Sequence, residues 1–167
     1  MANETYINNG TSLLINGEAT ADYAFSVENI DSGTGWVSAQ IDLGAAPRPF
    51  MYSWSSEVQF QATPTQYKGL ALYIATAPDG DSTQIDGDVG ASDAALGDVD
   101  MRSNLKFIGY VVSENAAASE KCVASGDVEI FTRYVSIVAY DDSGASVNAT
   151  DSNFRFNLQP KYFVPGA

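Results

Sequence analysis

The 167-residue chain has no histidine, one cysteine and only eight basic residues. Without histidine the commonest general base is missing, and with it the usual Ser–His–acid and Cys–His mechanisms and the usual zinc sites. No G-x-S-x-G elbow, G-x-G-x-x-G turn or phosphate-binding loop occurs either. Two carboxylates would suffice for glycoside hydrolysis, but no pair stands out among 21 acidic residues. The chain is therefore expected to be non-enzymatic and to need no cofactor. The lone Cys122 rules out a disulfide framework within the chain and reads as a small apolar residue in or near a strand.

Basic charge is equally scarce. Against eight Lys and Arg stand 21 Asp and Glu, a formal net charge of −13. Such a field repels phosphate backbones and anionic membrane surfaces, so neither nucleic acid nor membrane is expected as a partner. Long apolar runs are missing too. The opening MANETYINNG has no positive region, and the longest apolar run of the N-terminal segment is Leu13–Ile15, so neither a signal peptide nor a membrane anchor is expected. Sequons at Asn3, Asn9 and Asn148 are then incidental.

What the chain does have is hydrophobic residues at 45%, including nine Tyr, eight Phe and two Trp. They follow a period of two. Val37, Ala39, Ile41 and Leu43 alternate with Ser38, Gln40 and Asp42. Phe50, Tyr52, Trp54, Val58 and Phe60 alternate with Ser53, Ser55, Glu57 and Gln59, and Phe154, Phe156 and Leu158 with Arg155, Asn157 and Gln159. Each pattern is that of a strand with one face on a core and one in water. Further strands are expected at Tyr23–Ile30, Lys68–Ala75, Leu105–Ser113 and Val128–Tyr140, with shorter ones near Leu13–Ile15 and Lys121–Ala124. Within Val128–Tyr140 the apolar phase switches, which suggests a bulge or bend near Thr132–Tyr134. Turn residues punctuate the gaps at Asp31–Gly35, Gly44–Pro49 and Asp141–Gly144. About eight strands in one domain imply an all-β, two-sheet antiparallel sandwich, a jelly roll first and an immunoglobulin-like sandwich second.

Residues 18–167 are expected to form that single domain, with residues 1–17 as an N-terminal arm. The arm could order against a neighbouring subunit by adding a strand at Leu13, Leu14 and Ile15. One segment breaks the alternation: Asp79 to Asp100 holds seven Asp and no basic residue, and reads as a long acidic loop. Asp79, Asp81, Asp86 and Asp88 are the nearest approach to calcium ligands. They do not fit an EF-hand loop, because Gln84 stands where the turn glycine belongs and Gly90 where the twelfth-position Glu belongs. A solvated acidic loop is the plainer reading. Among the aromatics, Trp36 falls on the polar side of its strand's alternation and is an exposed candidate for a sugar or a protein interface.

The leaderless start MANETYINNGTSLLING, the aromatic strand PFMYSWSSEVQF, and GDVEIFTRYVSIVAYDDSG leading into FRFNLQPKYF together resemble the jelly-roll decoration (cement) proteins of tailed-bacteriophage capsids. The resemblance is one of strand pattern across much of the chain and carries no functional residues with it. It implies a virion structural protein made in the host cytoplasm. Such a protein forms a dimer or trimer, binds the major capsid protein on the outer surface and stabilises the shell. The competing expectation is a carbohydrate-binding or lectin-like module, calcium-assisted or not, or a head- or tail-fibre component.

Overall fold

A computed structural model describes residues 5–28, 30–80, 85–113, 117–118, 120–148, 150 and 153–165, without the side chains of 5–8 and 164–165. The strands are β1 (Thr5–Asn9), β2 (Leu13–Asn16), β3 (Tyr23–Ala24), β4 (Gly35–Val37), β5 (Ile41–Asp42), β6 (Met51–Gln59), β7 (Gly69–Ala77), β8 (Ala94–Ala95), β9 (Lys106–Val112), β10 (Lys121–Glu129), β11 (Tyr134–Asp141) and β12 (Phe154–Pro165). They build two sheets. The first has the order β10-β6-β12-β2-β3, with β1 also on β12; the second has the order β8-β4-β11-β7-β9, with β5 also on β11. All these pairings are antiparallel except β2 with β3.

Eight of these strands carry the architecture. Along the chain β2, β6, β10 and β12 fall in the first sheet and β4, β7, β9 and β11 in the second. The spatial orders β2-β12-β6-β10 and β4-β11-β7-β9 are those of a jelly roll. The alternation of the sequence explains the core between them. In β6, Tyr52, Trp54 and Val58 point inward; in β12, Phe154, Phe156 and Leu158 do so; in the facing sheet, Leu70, Leu72, Ile74, Val135 and Ile137 meet them. Trp54 stacks on Phe156 with ring centroids 6.1 Å apart and lies over Gly109 of β9 and Gly126 of β10. A Cβ on either glycine would collide with the indole, so their bare backbones are what allows the two sheets to close along that side.

The structure departs from the sequence-based expectations in several places, beginning with Tyr23–Ile30, of which only Tyr23–Ala24 is a strand. Val128–Tyr140 is not one bulged strand. β10 and β11 belong to opposite sheets, so the apolar phase flips because the chain crosses the core while keeping its apolar side inward. The segment expected as an arm is sewn into the chain's own first sheet, β1 against Lys161–Pro165 and β2 against Phe156–Leu158. The acidic segment is not a plain solvated loop. It brings Ile85, Val89 and Leu96 down onto Val37, Ala75, Ala77 and Val138, forming a second apolar cluster on the outer face of the second sheet. Finally, Phe50 does not continue the core face of β6; it lies just before the strand and is 44% exposed.

The second cluster accounts for the apolar character of β7 and β11. Leu70, Leu72 and Ile74 face the main core while Ala75 and Ala77 face the cap, so both faces of the strand are covered. Two aspartates of the acidic segment stitch it down. Asp86 Oδ2 accepts from Thr76 N at 3.0 Å and from Thr76 Oγ1 at 2.5 Å. Asp93 accepts from Ser26 N at 2.8 Å, Ser26 Oγ at 2.6 Å and Trp36 Nε1 at 2.7 Å. Arg102, just beyond the segment, lies over the Tyr140 ring at 3.5 Å.

Candidate functional site

The residues singled out by sequence end up in separate places. Ile15 is fully buried in the main core, while Leu13 and Leu14 are half-buried on β2. An outside subunit therefore cannot use Ile15. Trp36 is likewise not an open surface ring: it is half-buried against the main core and its indole N–H is bound by Asp93. Its strand is covered on both faces: Val37 is fully buried, as its alternation suggests, but under the acidic cap, while Trp36 is the residue that faces the main core. Of the calcium candidates, Asp81 lies outside the described residues. Asp86 is bound to Thr76, and Asp88 is exposed on the same short 3-10 turn. Among the described residues no three acidic or thiol side chains converge as metal ligands, Asp79 included.

A different constellation forms at the end of the sandwich where β6 begins and β10 ends. Phe50 is stacked between two other phenylalanines. Phe131 lies on one side, with centroids 5.9 Å apart and planes 8° apart, and Phe163 on the other, at 5.9 Å and 20°. All three rings are open to solvent, Phe131 at 70%, and Tyr162 beside them is exposed as well. These four are half of the eight large hydrophobic residues that the described surface exposes; three of them form the stack, and Tyr162 lines the clefts that adjoin it. Isolated exposed apolar residues are ordinary, whereas contiguous patches of them mark interaction sites.

The local chain holds these rings in position. Phe131 sits in the crossing between β10 and β11, which is clamped twice. Arg48 Nη2 donates to the Phe131 carbonyl at 2.7 Å, and Arg133 forms a two-pronged pair with Asp42, Nε to Oδ1 at 2.7 Å and Nη2 to Oδ2 at 2.6 Å. That guanidinium holds the Asp42 carboxyl down at about 2. Phe50 is fixed through its own carbonyl, which accepts from Ile130 N at 2.7 Å. Between Pro47–Phe50 and Lys161–Phe163 lies an open cleft of about 340 Å³. A second shallow cleft, about 250 Å³, adjoins it through Pro49 and Tyr162 and reaches Leu13. Leu13 is thus the one predicted interface residue that borders this end.

Chemically the arrangement offers flat apolar faces and cations. Arg48 and Lys161 line the larger cleft and no Asp or Glu does. It offers no nucleophile–base pair. Cys122 is buried, and burial pushes its thiol up from the ordinary range, which makes it inert as a thiolate. Sequence reasoning missed the site because Phe50, Phe131 and the adjacent Tyr162 and Phe163 come from three distant parts of the chain, and nothing local marks any of them as exposed. The only local sign was Pro-Arg-Pro at 47–49, read there simply as a turn.

No family model matches the chain, and no curated protein does. Solved structures do match. One is the crystal structure of murine APRIL at pH 8.5, 7% identical, with a TM-score of 0.39, covering 74% of this chain and 71% of that one. Among the described residues no helix is long and apolar enough to cross a membrane.

Proposed function

We propose that this chain is a non-enzymatic docking protein, a capsid decoration protein that seats its aromatic end on an outer shell surface and stabilises the shell. The observation that carries the reading is the solvent-facing stack Phe131–Phe50–Phe163 with Tyr162 on a rigid, doubly clamped end of the sandwich. Aromatic anchors held in place before binding lose little conformational freedom on docking and dominate interface energetics. The strand-pattern resemblance to phage decoration proteins supplies the kind of partner, the major capsid protein, and the expectation of a dimer or trimer. An acidic remainder keeps an abundant surface protein soluble.

The experiment is binding to undecorated capsids of the virus that encodes the chain. The double variant Phe50→Ser/Phe163→Ser is expected to lose binding by about a hundredfold or more, the range of interface anchors, while its thermal unfolding stays close to that of the parent. Unchanged binding would sink the reading. The sugar-binding alternative drew on an outward Trp36, and that ring is turned inward and engaged by Asp93. It now has to rest on the aromatic end, where a glycan array with and without calcium tests it.

A further inference from the structure

The first sheet is incomplete at the aromatic end. β12 runs on past Lys161, but β6 begins at Met51, the residue opposite Lys161. Tyr162–Pro165 therefore has β1 on one side and, among the described residues, no strand on the other. The segment that would have extended β6 is Pro47-Arg48-Pro49-Phe50. It turns away, and its two prolines have no N–H to give a ladder. The open cleft is the space left between the two.

The ladder gives the direction of the free backbone groups. Gly10 N donates to the Pro160 carbonyl at 2.9 Å, so Pro160 presents its carbonyl to the β1 side. In an antiparallel ladder successive residues alternate sides, so Tyr162 and Val164 also face β1. Phe163 then turns its N–H and C=O the other way, into the cleft. Beside them stands the half-buried Arg48, which gives one N–H to Phe131 and is in no ion pair among the described residues. Lys161, the other cation there, is already bound to Asp127 at 2.6 Å.

We infer that this cleft receives an extended acidic segment of a partner protein, which adds a short strand along Phe163, sets a carboxylate on Arg48 and lays an apolar side chain against Phe50 and Phe163. Strand addition to an open sheet edge is an established mode of peptide recognition, and a guanidinium takes a carboxylate with two parallel hydrogen bonds. With Lys161 already paired to Asp127, Arg48 is the cation of the lining that is in no ion pair among the described residues, and with no Asp or Glu in that lining it favours a negative charge. The chain's own acidic segment does not serve. Ile85, Val89 and Leu96 anchor its described part on the second sheet, and Asp86 and Asp93 are engaged within the fold, so among the described residues a second copy offers no free extended acidic strand there. The inference rests on the docking reading and adds the chemistry of the partner.

The test is an array of hexapeptides combining one Asp or Glu with one Phe, Leu or Val at every spacing, beside counterparts with Lys in place of the acid, probed with the full chain. Acidic members are expected to bind and Lys counterparts not to. Arg48→Glu should weaken the best peptide by about tenfold or more, the range for losing one partner of a desolvated charge pair, while Arg48→Lys keeps part of the affinity. Titration of the parent protein should shift the Tyr162 and Phe163 amide signals, a readout that holds even where Arg48→Glu folds poorly. No acidic preference, or unshifted amides, overturns the inference. An oligomer in light scattering that Arg48→Glu dissociates would place a second copy in the cleft and overturn it too. If Phe50→Ser/Phe163→Ser abolishes capsid binding and Arg48→Glu leaves it intact, this inference fails and the docking reading survives. If both variants still bind, both fail.

Discussion

The acidic segment over β7 and β11 and the aromatic end at Phe50 are opposites in composition, and each behaves contrary to its composition. The acidic stretch, polar in sequence, buries Ile85, Val89 and Leu96 and closes an apolar face of the fold. The aromatic end, apolar in sequence, leaves Phe50, Phe131, Tyr162 and Phe163 in water. The acidic stretch needs few apolar anchors because Asp86 bonds the backbone and hydroxyl of Thr76 in the sheet below and Asp93 those of Ser26 and the Trp36 indole. Among the described residues no segment covers the aromatic end, because β6 starts late and Pro47–Pro49 turns the chain away. What separates a structural element from a site here is whether the fold itself covers its apolar atoms.

Three measurements press on that contrast. The largest effect belongs to the cap. Ile85→Ala or Leu96→Ala is expected to cost about 2–4 kcal/mol in urea unfolding, the range for truncating buried aliphatic chains, with capsid and peptide binding unchanged. A loss under ~0.5 kcal/mol would mean the segment only rests on the sheet. The next belongs to Asp141, at the end of β11 opposite the crossing that carries Phe131. Its side chain is wholly buried, Oδ1 accepts from Ser143 N at 2.7 Å and Oδ2 has no partner among the described residues. Burial pushes its carboxyl up to about 6 from a usual 3.8. Between those values the native state binds more proton than the unfolded chain, so stability from this group falls as pH rises from about 4 through 6. Asp141→Asn should flatten that slope and add about 1–2 kcal/mol at pH 7; a slope unchanged in the variant refutes the assignment. The smallest belongs to the aromatic end, where Phe131→Ser should move stability by no more than ~0.5 kcal/mol, because the ring is already in water.

The fold was largely legible in the sequence. Alternation in Met51–Gln59 and Phe154–Leu158 marks strands whose inward residues are those of the core, and the spacing of turns gives two sheets. The alternation rule failed where its premise failed. At Trp36 and Val37 both faces are covered, so parity no longer tells inside from outside. The crossing near Phe131 looked like a bulge because one strand and two strands in opposite sheets produce the same phase change. The site was not legible. It is a convergence of residues 47–50, 131 and 161–163, and only the register of β12 beyond β6 shows that no described strand covers them.

The account stands or falls on which end of the molecule meets its partner. Amide hydrogen exchange of the protein bound to capsids and free in solution compares the two regions directly. The docking account predicts added protection at Phe50, Phe131 and Tyr162–Phe163, with Ile85–Asn104 unchanged. Added protection over Ile85–Asn104, with the aromatic end still exchanging at its free rate, would contradict it.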